Sequence, residues 1–134
     1  MNFVGICPGV VAALLSGACT LLPSLAERRD AVDRSAPVCS GALQCSAQWE
    51  AARHWVVENA GLPIWIADEE HIETYNGYPA QDPRLVVHVY RVAQGKDGYR
   101  LRIEDDCAYD FGCIPDRWNA ALDFNRFVAR AGAG

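Results

Sequence analysis

Two kinds of stretch in this chain carry residue types that do chemistry. Four cysteines form two copies of C-x5-C, Cys39 with Cys45 and Cys107 with Cys113, while Cys7 and Cys19 lie in an apolar leader. Thiols paired closely in sequence either oxidise to disulfides or hold zinc. Structural zinc sites place about two to four residues between paired cysteines, and here there are five. An even set behind an apolar leader therefore reads as disulfides formed in an oxidising compartment. Sequence alone does not choose the pairing. The short separations and the loop formers Gly41 and Gly112 favour Cys39–Cys45 and Cys107–Cys113. Loop entropy favours the long-range alternative, because a longer closed loop removes more freedom from the unfolded chain.

The second stretch is "DEEHIE", which offers carboxylates at Asp68, Glu69, Glu70 and Glu73 and an imidazole at His71. Successive side chains of a strand point to opposite faces, so only alternate members can converge on a metal. A polar strand edge or an exposed turn explains the stretch more simply, its charges discouraging edge pairing. No metal ligand and no cofactor is assigned here. Asp105, Asp106 and Asp110 offer further carboxylates for hydrolysis, but Asp105 and Asp106 are adjacent and face apart, and paired-carboxylate chemistry needs a cleft. His54 reads as a solvated helix residue, and His88, set in an apolar strand, as a buried and hydrogen-bonded one. There is no nucleophile motif and no phosphate-binding glycine loop, so no catalytic residue is assigned. Trp65, Tyr75 and Tyr78, around Asn76-Gly77, are the candidates for a partner contact, since aromatics are enriched at interfaces.

The elements that must position these residues follow from hydrophobic periodicity. "QCSAQWEAARHWVVENAG" predicts a helix capped by Ser46, with Trp49, Ala52, Val56, Val57 and Ala60 on one face and Trp55 off it. Gly61 and Pro63 stop it. Ile64 to Ala67 and His71 to Tyr75 have strand composition. "RLVVHVYRVA" is apolar on both faces and reads as a central strand. Residues 94–98 make a hairpin loop, after which Tyr99, Leu101 and Ile103 point inward and Arg100, Arg102 and Glu104 outward. Pro115 opens a last helix whose stripe is Trp118, Ala121, Leu122, Asn125 and Val128, widened by Phe124 and Phe127. The expectation is an α+β domain in two layers: a helix, a three- or four-stranded antiparallel sheet, and a second helix on the same face.

The 134 residues suit a single domain. Twelve Lys and Arg against seventeen Asp and Glu give a net charge of −5, which argues against nonspecific nucleic-acid binding. None of these charges lies in residues 1–26. Val10 to Leu15 forms an apolar core, followed by the small residues Ser16-Gly17-Ala18 and then Cys19. This arrangement resembles the lipobox signal peptide of bacterial lipoproteins. The resemblance implies cleavage before Cys19 and attachment of lipid to its thiol, and Thr20 after it implies the outer membrane. Ser16 and Ala18 also satisfy an ordinary small-x-small cleavage site. Phe3 to Ala26 is long enough to span roughly 30 Å of hydrocarbon, though Pro8 and Pro23 make it a poor helix. The domain reading is a signal peptide over 1–18, a lipidated tether without apolar periodicity over 19–38, and a folded periplasmic domain over 39–134.

The order C-x5-C, "WEAARHWVVENAG", "HIETYN", "CAYDFGC" and "FNRFV" resembles small proteobacterial envelope proteins of no assigned function, across residues 39–129. That resemblance implies a setting and no activity. The expected protein is a lipid-anchored outer-membrane protein facing the periplasm. Its role is non-enzymatic, binding or accessory, with the membrane and another envelope protein as partners and no nucleic acid. An inhibitor or immunity protein against a cationic toxin or lysozyme is one alternative, and a carboxylate-dependent hydrolase is another.

Overall fold

The computed structural model describes residues 22–76 and 82–133. Cys7, Cys19 and Tyr78 lie outside the described residues. The chain runs through α1 (Leu25–Arg34), β1 (Val38–Ser40), α2 (Ala42–Asn59), β2 (Ile64–Ala67), β3 (His71–Thr74), β4 (Val86–Gln94), β5 (Gly98–Asp106) and α3 (Arg117–Arg130). The strands form one five-stranded sheet in the order β1-β5-β4-β3-β2, with every neighbouring pair antiparallel. This is the α+β arrangement that the periodicity predicts, with one more strand and one more helix. No helix among the described residues is long and apolar enough to cross a membrane.

Both extra elements have physical reasons for escaping a sequence reading. β1 has three residues, too few to show alternation, and becomes a strand because β5 offers it an edge, with Cys39 opposite Tyr99. α1 lies inside the stretch expected to be a structureless tether. Ser24 and Glu27 close a capping box at its start, each side chain bonding the other's backbone N–H. Its only buried residue is Val32, so its apolar stripe is too narrow to read. A long-range bond holds it instead: the buried Asn125 of α3 donates to the Val32 carbonyl and to Ser35 Oγ, both at 2.9 Å.

α2 starts four residues before the expected cap, at Ala42 behind Gly41, and Ser46 lies within it. It ends at Asn59 with Ala60 as its C-cap, after which Gly61 takes a positive φ of 77°, the left-handed conformation glycine adopts without a steric cost. Trp55, expected off the packing face, is buried against α3. Its ring meets Phe124 edge-on at 5.3 Å and its indole N–H donates to Asp123 at 2.8 Å. Val57, expected inward, is exposed. α2 therefore packs through a flank shared between the sheet and α3, which shifts its buried stripe by one residue. Pro115 stands just before α3 rather than within it, and Asp116 caps the helix by accepting from Trp118 N and Asn119 N.

The inner face of the sheet carries Ile72, Val87, Val89, Leu101 and Ile103 into a core shared with Trp49, Val56, Phe124 and Val128. Tyr99, Leu101 and Ile103 alternate with Arg100, Arg102 and Glu104 as the sequence predicts, and β4 is the middle strand. The disulfides are the two local ones, Cys39–Cys45 with Cα atoms 5.0 Å apart and Cys107–Cys113 with 5.8 Å.

Gly98 opens β5 where the β4–β5 turn and β1 converge. A Cβ there would sit 2.7 Å from the Cys39 carbonyl oxygen and 2.8 Å from that of Gln94. Both are backbone atoms held in ladders, so neither can move cheaply. Gly98→Ala is expected to lose about 1–3 kcal/mol of stability through overpacking, read as a lower midpoint in urea unfolding with the disulfides intact. An unchanged midpoint would show that β1 yields freely.

Candidate functional site

The helices cover one face of the sheet and leave the other to solvent. On that open face, strand alternation and register assemble the chemistry that the sequence scattered. β3 projects His71 and Glu73 outward, while Ile72 and Thr74 are buried beneath. The β3–β4 ladder sets Glu73 opposite His88 and His71 opposite Tyr90. As a result His71 Nε2 lies 3.3 Å from His88 Nδ1, and Glu73 Oε2 lies 3.7 Å from the first and 3.8 Å from the second. These side chains are about a fifth to a quarter exposed, 25% for His71, 26% for His88 and 19% for Glu73. Their three atoms form one cluster in which each residue offers a metal-ligating atom.

Tyr90 borders the cluster. Its ring is parallel to that of His71, with centroids 4.8 Å apart, and the Arg102 guanidinium lies over the Tyr90 ring, 5.2 Å from its centroid. Burial raises the Tyr90 phenol above its ordinary value, and the nearby charges of Glu104 and Glu73 raise it further.

The sequence predicts a polar edge or turn for "DEEHIE", and the structure divides it. Asp68 closes a turn, its Oδ1 accepting from Glu70 N and His71 N at 2.8 Å each, and these bonds hold its carboxyl below the usual range. Glu69 and Glu70 are exposed in that turn. His71 and Glu73, however, stand on an interior strand, because β2 and not β3 is the sheet edge. Edge protection therefore does not account for them. His88, read as a buried residue, points outward on the same face as Tyr90. The alternation of β4 already carried that parity, but the pairing of β4 with β3, which makes His88 the third member, did not appear in the sequence.

The expected partner contacts are in part brought together. Trp65 sits at the irregularity in the β2–β3 register between Ile64 and Ile66. Its ring meets Tyr75 edge-on with centroids 4.6 Å apart, and the two are 60% and 40% exposed. His54 lies on α2, 6.0 Å from the Phe127 ring and apart from the other histidines. Of the acidic residues near the end of β5, Asp105 turns under the helices and Asp106 accepts from Cys107 N, but Arg117 pairs with both, at 3.7 and 3.8 Å, and both line one groove. Asp110 lies apart, exposed within the Cys107–Cys113 loop.

A groove of about 530 Å³ runs along the part of β5 that β1 leaves unpaired, between α1 and α3. Arg29, Arg102 and Arg117 line it together with Asp33, Glu104, Asp105 and Asp106, so carboxylates outnumber guanidinium groups by one, and His88 reaches it as well. At its floor the Arg117 Nε lies 3.7 Å from Asp105 Oδ1, an ion pair without a hydrogen bond, and Asp105 Oδ2 is buried with no hydrogen-bond partner. Burial pushes the Asp105 carboxyl up to about 7. Arg117 offsets part of this, and Asp116 and Asp106 add to it.

Comparison with protein-family models, curated proteins and solved structures finds no match to this chain.

The Asp105 shift has a definite sign. The folded state binds this proton more tightly than the unfolded chain, whose carboxyl titrates near the ordinary 3.8. The group's contribution to stability is thus complete below that value and is lost as pH rises to about 7. Asp105→Asn cannot lose it. Between pH 4.5 and pH 8 the stability difference should move in the variant's favour by about 1–3 kcal/mol, measured by urea unfolding of both proteins at each pH. A difference that stays constant with pH would contradict the assignment.

Proposed function

We propose that this chain is a lipid-anchored protein of the bacterial cell envelope that acts by binding a partner rather than by catalysis. The observation that carries the reading is the pair of local disulfides in a domain that follows an uncharged leader ending in Ser16-Gly17-Ala18-Cys19. Disulfides persist in oxidising compartments, and a small-residue run before a cysteine is what lipid modification requires. Asp68 and Asp110 lie away from Asp105 and Asp106, whose carboxylates are both paired to Arg117 at 3.7 and 3.8 Å; this favours binding over carboxylate hydrolysis. The exposed Trp65–Tyr75 pair supplies rigid amphipathic area for a protein contact.

The position of α1 bears on how the anchor would work. Only residues 20–24 separate Cys19 from Leu25, and five residues reach at most about 18 Å when fully extended. A lipid on Cys19 would therefore hold the domain close to the leaflet instead of on a long tether. Two or three acyl chains, each buried methylene contributing about 0.8 kcal/mol, make such attachment stable.

The wild-type protein is expected to incorporate an alkyne-tagged fatty acid in growing cells and to fractionate with membranes. Cys19→Ser should lose the label and retain its leader. Mass spectrometry showing an intact Met1 leader or an unmodified Cys19 in native protein would overturn the anchored reading. For the binding role, a photo-crosslinking residue at position 65 should give a discrete protein adduct in intact cells. The same residue at Val57, exposed on α2, should give none, and matching patterns from the two positions would count against the proposed surface.

A further inference from the structure

We propose that His71, Glu73 and His88 form a binding site for a divalent transition-metal ion, of which Zn²⁺ is the one their chemistry suits. Two imidazole nitrogens and one carboxylate oxygen meet at separations of 3.3, 3.7 and 3.8 Å. A tetrahedral ion with bonds of about 2.0–2.2 Å to nitrogen and oxygen places its ligand atoms about 3.3–3.6 Å apart. The triangle already has nearly the dimensions of a tetrahedral face, so an ion above it needs only small side-chain adjustments. Three protein ligands leave at least one position open to water or to a donor from a bound molecule.

Hydrogen bonding within the cluster does not explain it as well. One proton can be shared across the 3.3 Å gap between the imidazoles, but both contacts of Glu73, at 3.7 and 3.8 Å, are too long for hydrogen bonds. Among the described residues no lysine or arginine forms an ion pair with Glu73; its two ion-pair neighbours are the histidines themselves. A partly buried carboxylate facing two imidazole nitrogens is an arrangement that a cation completes.

The supports are rigid. All three residues stand on strands, and directly beneath them Ile72, Val87 and Val89 have no solvent exposure. The Thr74 hydroxyl further ties β3 to β4 by accepting from Val87 N at 3.0 Å. A site on paired strands pays little ordering entropy on binding. Partial exposure gives an ion access from the open face. The ligand types set the selectivity: imidazole suits zinc, copper and nickel, whereas calcium and magnesium require shells of oxygen.

This site stands on side-chain geometry and does not depend on the anchor, so Cys19→Ser should bind metal as the wild type does. The test uses the full-length chain in detergent, purified without a histidine tag, stripped of metal and titrated with Zn²⁺ against a chromophoric chelator. One Zn²⁺ per chain is expected, displaced by Cu²⁺ and unaffected by excess Mg²⁺ or Ca²⁺. His71→Ala, His88→Ala and Glu73→Gln should each weaken binding at least about 10-fold, while His54→Ala leaves it unchanged. Should a variant misfold, the wild type alone still decides the matter by NMR. Zn²⁺ should then shift the imidazole signals of His71 and His88 and leave those of His54 in place. Absence of stoichiometric uptake by the folded protein, uptake undiminished in both His71→Ala and His88→Ala, or Zn²⁺-induced shifts confined to His54 would overturn the proposal.

Discussion

Ile72 pairs with Val89 across the β3–β4 ladder, and that single register commits the two faces of the sheet to different work. Side chains alternate along each strand, so a slip of one residue, with β4 held by β5, would turn β3 over, carrying Ile72 to solvent and bringing His71 and Glu73 under the helices, away from His88. Burying an imidazole and a carboxylate in the apolar core would be prohibitive, which makes the observed register the stable one. The same constraint that builds the core therefore also gathers the polar cluster on the outside. β5 extends it, since Val89 opposite Ile103 and His88 opposite Glu104 keep the two faces distinct across the sheet.

The disulfides play a more local part than their number suggests. Cys39–Cys45 joins β1 to the first turn of α2, and Cys107–Cys113 closes the connection between β5 and α3. Each closes a short loop, which removes less entropy from the unfolded chain than a long-range bridge would. Joining distant elements falls to side chains. Trp55 and Phe124 lock α2 to α3, Asn125 ties α3 to α1, and the Trp49 indole donates to the Asp68 carbonyl at 3.1 Å, fixing α2 to the β2–β3 turn. That last bond places the turn from which β3 departs and so helps to position His71.

Asp105 is where the alternation of β5 and the demands of the core conflict. Its parity with Leu101 and Ile103 sends a carboxylate inward at the end of the strand, where Arg117 from α3 meets it without a full hydrogen bond. Desolvation then exceeds the attraction of the guanidinium, and the carboxyl holds its proton far above the ordinary range. The pair lies at the floor of the groove beside α1, so the packing of α1 against α3 contributes to its environment.

The sequence by itself determined whatever depends on neighbours along the chain. The alternation of Tyr99, Leu101 and Ile103, the turn between Gln94 and Gly98, the central character of the Leu85 to Ala93 run and the stop at Gly61 are all local. Ser24 and Glu27 were legible in the same way, since a capping box spans only three residues, and α1 would have followed from it. Tertiary structure decided what depends on residues far apart. β1 is a strand only because β5 lies beside it, and Trp55 is buried only because Phe124 arrives from α3. His88 joins His71 and Glu73 only through a register that no local pattern specifies. Strand parity told which alternate residues could meet; only the pairing of β3 with β4 brought a third ligand within reach.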